Sequence, residues 1–273
     1  MELSFYRGTT TLTPIVKSVT TDLNFTLNSR NTFQMKLPYQ WVDGKLGHTK
    51  DLGDISLCYT RAMIVKENMG LSFSLGAKIP TNNSNKTVFD KTLNKDLPLP
   101  MYYQTSLGTY DVIAGLSVIN SKWLVATGIQ IPLNQNKNEF LWGKWKGSSE
   151  PQSYIEKYSK AKDLKRGIDV MLRIERNFRF SRLNFSIGML PIYRIKGDAY
   201  TSPIPGTTPT EFDYKIRPGT TGLALSGIAT MGYSFNVRNG IKILVGHKLT
   251  QRDDNPDGLT RHLVTSATYF YRF

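Results

Sequence analysis

Any covalent or metal chemistry in this chain has to be built from few residues: three histidines, His48, His247 and His262, and one cysteine, Cys58. A single thiol cannot close an internal disulfide, and metal centres need several ligands at fixed spacing, so neither a metal nor another cofactor is expected. A hydrolase using His262 as its base would need a nucleophile beside it. There is no Gly-x-Ser-x-Gly motif and no Ser/His spacing that strand geometry would unite, so no catalytic residue is assigned and the chain reads as a non-enzyme. Charge is more abundant. Lys36, Lys78, Arg173, Arg194, Lys242 and Lys248 occupy the same alternate rows as Asp22, Asp54, Asp111, Asp169 and Glu175. If those rows face an enclosed lumen, the charges either pair and plug it or leave an aqueous path whose excess cations favour anions. Asp169, Arg173 and Glu175 share one face of one strand and read as a salt-bridge network rather than a binding site.

The elements that must position these rows are strands. In the final stretch, Leu263, Thr265, Ala267, Tyr269, Tyr271 and Phe273 share one face, because side chains alternate along a strand. That face becomes aromatic toward the chain end, as a membrane-interface girdle does. Tyr269, Tyr271 and Phe273 therefore form a candidate membrane and assembly signature. A closing strand that ends in Phe resembles that of bacterial outer-membrane barrels, where the assembly machinery reads it. The competing reading is the last strand of a soluble β-sandwich.

The same alternation recurs upstream. Phe33, Met35, Leu37, Tyr39 and Trp41 alternate with Gln34, Lys36, Pro38 and Gln40. Hairpins are expected for 52–65 with 69–80, for 107–119 with 122–133, for 164–176 with 181–195 across 177–180, and for 219–235 with 241–250 across a connection ending in Asn239-Gly240. Segments 8–18, 43–51, 81–106, 134–163, 196–218 and 251–258 read as long connections, with a short helix expected within 154–164. The sum is about twelve strands of membrane-spanning length, joined alternately by long and short connections. This predicts an all-β fold: one antiparallel up-and-down transmembrane β-barrel domain over 1–273, with long extracellular loops and short periplasmic turns. Both termini fall at the short-turn end. A mitochondrial-type porin is the nearest competitor, but the connections over 81–106 and 134–163 are too long for it.

Composition agrees. Hydrophobic residues make up 40% and charged residues 21%, with no apolar run long enough for a transmembrane helix, so a membrane could be crossed only by a closed barrel. The net charge of +14 is scattered through connections and inward rows rather than gathered on a nucleic-acid-binding element, so nucleic acid is not an expected partner. Outer-membrane lipid and lipopolysaccharide are. The first residues read as strand rather than signal peptide, so the export signal of an integral outer-membrane protein is expected to be missing from this sequence because it has been removed. Phe140, Trp142 and Trp145 make the connection over 134–163 unusually aromatic, which suggests either an inward-folded constriction or docking onto another outer-membrane protein.

Three segments carry a family resemblance: Leu52-Gly-Asp54, Gly76-Ala-Lys-Ile-Pro-Thr81 and Gly108-Thr-Tyr-Asp111. Over residues 52–133 the chain resembles the outer-membrane transporter-like family named for the MetA pathway of phenol degradation. The resemblance implies a monomeric barrel passing small, aromatic or hydrophobic molecules, and no site residue is carried over from it. The function expected is a passive channel or transporter-like pore for small solutes. The alternatives are a non-conducting accessory barrel within a larger membrane complex and, last, an outer-membrane hydrolase.

Overall fold

The computed structural model describes residues 1–9, 14–203, 212–259 and 261–272. In chain order the strands are β1 (Glu2–Thr9), β2 (Ile15–Asn28), β3 (Asn31–Gly44), β4 (Gly47–Leu52), β5 (Ile55–Lys66), β6 (Met69–Ile79), β7 (Thr87–Asp90), β8 (Lys95–Pro98), β9 (Asp111–Asn120), β10 (Trp123–Pro132), β11 (Asp169–Phe180), β12 (Leu183–Arg194), β13 (Ala199–Pro203), β14 (Phe212–Ile216), β15 (Gly222–Ser234), β16 (Asn239–Thr250) and β17 (Leu263–Tyr271). One short helix, α1 (Gln152–Ile155), interrupts the longest connection.

Twelve of these strands form a closed antiparallel barrel in the order β1-β17-β16-β15-β12-β11-β10-β9-β6-β5-β3-β2, with β2 returning to β1. The seam between first and last strands is in register from Glu2↔Phe270 to Thr9↔Leu263. No helix among the described residues is long and apolar enough to cross a membrane. Small hairpins, β7–β8 and β13–β14, stand apart from the barrel.

Burial is inverted relative to a water-soluble protein. Outward-facing Phe5 is 61% exposed and Met189 54%, whereas inward Asp22 is 6% and Glu175 5% exposed. Apolar residues outside and polar residues inside are what a lipid-facing wall around a polar lumen requires. A β-sandwich would have the opposite arrangement.

Several boundaries differ from the sequence reading. The expected loop over 43–51 is a tight hairpin: β4 extends the ladder on β3 from Tyr39↔Leu52 to Gly44↔Gly47, continuing β5 past a break at Gly53-Asp54. Likewise β1 and β2 run well into 8–18, their pairing reaching Thr9↔Ile15. β11 continues through Phe180, leaving Ser181-Arg182 as the turn, because Phe178 keeps the outward alternation and packs against Phe185 at 6.0 Å. The short helix is confined to α1, after Pro151. Tyr269 lies on the outward row of β17, opposite Leu3 and Ile241, and Tyr271 follows on the same row. Phe273 lies outside the described residues.

The inversion gives a direct test. Met189→Lys, at the middle of the lipid-facing row of β12, is expected to cost about 2–4 kcal/mol, and Ala126→Lys, on the lumen row of β10, less than about 1 kcal/mol. Reversible denaturant unfolding in phospholipid bilayers measures both.

Candidate functional site: a charged and partitioned lumen

Strand register places Lys36, Lys78, Asp169, Arg173, Glu175, Arg194, Lys242 and Lys248 on inward rows. Most are neutralised locally. The Lys36 ammonium lies 3.4 Å from Asp22, and Lys78 lies 3.4 Å from Asp54. Arg173 meets Glu175 at 2.5 Å, and Ser186 donates to the same carboxylate at 3.2 Å. Asp169 does not join that pair: it turns to Arg194, one strand over. Lys242 and Lys248 have no carboxylate within 4.0 Å among the described residues; the Lys248 ammonium donates to the side-chain oxygen of Gln251. Two inward cations are therefore left without a counter-charge.

Toward the long-connection end the lumen carries a denser network. Arg194 Nε and Nη2 donate to the two oxygens of Asp169 at 2.7 Å each, Nη1 reaches Asp198 at 2.6 Å, and Nη2 also reaches Asp257 at 2.9 Å. Arg166 Nη1 donates to Asp111 at 2.8 Å, and Arg252 lies 3.4 Å from Asp169. All of these groups are buried. Burial opposes charge on Asp257, but Arg194, Arg166 and Arg252 around it prevail and hold its carboxyl well below the usual carboxylate range. Arg166, Asp198, Arg252 and Asp257 were not among the sequence candidates. They lie outside the strand alternation, in connections that fold inward. The readable signal was the Asn255-Pro-Asp-Gly258 turn, which reverses the connection after β16: Gly258 has φ +66°, and a side chain there would meet the Tyr102 backbone.

Among the described residues the interior holds cavities of about 410, 320 and 440 Å³. The first two are separated by an inward-folded segment whose Asp257, Leu259 and Arg261 line both. The third lies deeper and shares Lys36 and Ser56 with the first and Met171 with the second. The lumen is thus filled from its long-connection end by Asp257 to Arg261 and by Met101 to Leu107, and not by the longest connection.

No protein-family model and no curated protein matches the sequence. Among solved structures, an outer-membrane channel from Pseudomonas putida F1 superposes with a TM-score of 0.62 at 13% identity, over 100% of this chain and 94% of that one. The NanC porin superposes with a TM-score of 0.52 at 7% identity, over 99% and 100% respectively. The closed twelve-stranded barrel is the fold this chain shares with them.

On this outer-membrane barrel the aromatic residues of the 134–163 connection neither constrict the lumen nor face outward as a docking surface. Phe140 and Trp145 are buried with Val16, Val42, Leu46, Leu97, Leu99, Tyr103, Ile155 and Tyr158 in an apolar cap over the β2–β3–β4 extension. The Trp145 indole N–H donates to the Pro98 carbonyl at 2.9 Å, and that of half-buried Trp142 to the Tyr158 carbonyl at 2.7 Å. Buried Asn138 ties the cap together, its amide donating to the carbonyls of Ser84 and Leu99 at 2.9 and 3.0 Å. Apolar side chains in a connection found one another, which linear spacing does not reveal.

His262, one residue before β17, stacks edge-to-face on outward His247, ring centroids 4.8 Å apart, and so does not continue the inward row of that strand. No group of three or more potential metal ligands occurs among the described residues. The charged residues of the three resembling segments are neighbours: Asp54, Lys78 and Asp111 stand at the long-connection ends of adjacent strands, with Lys78 opposite Asp111. Trp145→Ala should destabilise the cap by about 3–5 kcal/mol. The measurable outcome is faster proteolysis within 134–163, while the heat-dependent gel mobility of the folded barrel stays unchanged.

Proposed function

We propose that the chain is an integral outer-membrane pore for small solutes, with a preference for anions. The observation that carries this reading is a closed wall around a lumen in which Lys242 and Lys248 lack a counter-charge among the described residues. Fixed unpaired cations along a narrow path raise the local concentration of anions and lower the barrier to their passage. The solved channel and porin of the same fold support a pore rather than an enzyme.

On this reading the long connections are extracellular and the short turns periplasmic, with the aromatic outward rows against lipid and the basic connections against lipopolysaccharide. Membership of the MetA-pathway transporter-like family is part of the proposal. Its support is that the three resembling segments fall on β4–β5, β6 and the approach to β9, which are consecutive in the barrel. Tyr269 and Tyr271 would present the closing strand to the assembly machinery. The burial of Phe140 and Trp145 removes the feature that favoured an accessory barrel over a free pore.

In planar bilayers the purified chain is expected to conduct with anion selectivity. Lys242→Gln combined with Lys248→Gln should abolish that selectivity while leaving open channels. A bilayer that stays silent at every voltage, or unchanged selectivity in the double variant, overturns the reading.

A further inference from the structure

The charged network contains more anion-binding capacity than the chain uses. Asp257 enters it from the middle of the 251–262 connection, accepts from the Leu259 amide at 3.2 Å and makes one short contact to an arginine, Arg194 at 2.9 Å; Arg252 and Arg166 stand off at 3.7 and 3.9 Å. Arg166 Nε and Nη2 are buried and have no hydrogen-bond partner among the described residues. A buried guanidinium with idle donors is costly unless something accepts from it, and the acceptor that matches its planar fork is a carboxylate. Asp257, 3.9 Å from Arg166 Nε, does not supply that geometry.

A chamber adjoins these donors. The cavity of about 320 Å³ is lined by Arg166, Arg194, Lys248, Arg252 and Arg261 against only two carboxylates, Asp169 and Asp257. Its apolar wall comes from Met171, Ile192, Leu259 and Val264. The combination suits a small anion with a short apolar body. The volume is at the low end for small-molecule sites, which excludes long chains.

We propose that Arg166, Arg194 and Arg252 form a binding site for a small carboxylate solute, occupied at rest by the chain's own Asp257. This rests on the pore reading and deepens it by naming the solute class and the gate. Exchange of one carboxylate for another leaves the network's balance of three arginines and four carboxylates unchanged. Displacing Asp257 releases the turn that separates two of the cavities. Its flanks stay held, on one side by Asp254 to Arg217, to Ser159 and to the Gly219 carbonyl and by Tyr102 to the Asn255 carbonyl, and on the other by the His262 amide to the Thr9 carbonyl at 2.7 Å, so the part that moves is the turn carrying Asp257. Solute capture and withdrawal of the partition are then one event, and the tethered competitor weakens the apparent affinity by the fraction of time it holds the site.

The test is calorimetric titration of the folded full chain in detergent with sodium butyrate, and with butyramide as the uncharged isostere. Asp257→Asn is expected to bind butyrate at least tenfold more tightly than wild type, and neither protein should bind butyramide. Equal butyrate affinities, or butyramide binding as well as butyrate, overturn the site. Should Asp257→Asn fail to fold, wild type carries the test: butyrate, and not butyramide, should accelerate cleavage before Asp257 by an Asp-specific endoproteinase, and unchanged rates overturn the proposal. A barrel that conducts but shows no butyrate-specific effect overturns this site alone. One that binds butyrate yet never conducts supports the site and overturns the pore reading alone.

Discussion

A sheet crossing hydrocarbon has no water to satisfy an unpaired edge, so every backbone amide of every crossing strand must find a partner on a neighbour. Closure is therefore the condition from which the rest of this structure follows. The β1–β17 ladder meets it along its length, and even the terminal ammonium of Met1 donates to the Tyr271 carbonyl at 2.9 Å. Once the cylinder is closed, strand alternation sorts the side chains without further instruction: one row meets lipid and the next meets the lumen. Polar residues of the lumen rows become buried, which obliges them to pair, and Lys36–Asp22, Lys78–Asp54 and Arg173–Glu175 are the result.

Beyond the membrane-spanning height that condition relaxes, and the two sides of the mouth are filled by different physics. Above β2, β3 and β4 the connections pack a water-excluding apolar cluster of the kind found inside soluble proteins. Beside β11, β12 and β16 the filling is ionic, three arginines against four aspartates. The difference follows from what the walls offer. Val16 and Val42 provide apolar footing where the strands overrun the barrel, whereas Asp169 and Arg194 end their strands as charges that only other charges can satisfy.

The architecture was legible because its signal is local and periodic. Phe33 to Trp41 and Leu263 to Tyr271 show the lipid row directly, and the alternation of long and short connections fixed strand count and topology. Inward placement of Lys36, Arg173 and Lys248 followed from the same period. What was hidden is what lies off the period. Asp257, Arg166 and Asp198 meet through three separate connections, and nothing in their spacing brings them together. The aromatic residues of 134–163 showed only that they must be covered, not that their cover comes from Val42, Leu97 and Tyr103. His262 shows the opposite limit: the strand period does not govern a residue one position before its strand begins.

The apolar cap has a mechanical meaning during biogenesis. It is stitched from chain segments far apart in sequence, Ser84, Leu99 and Asn138 among them, so it can set only after those segments have all emerged on the same face of the bilayer. Once set, it holds distant stretches of chain together outside the barrel wall by the same water-excluding packing that holds a soluble protein.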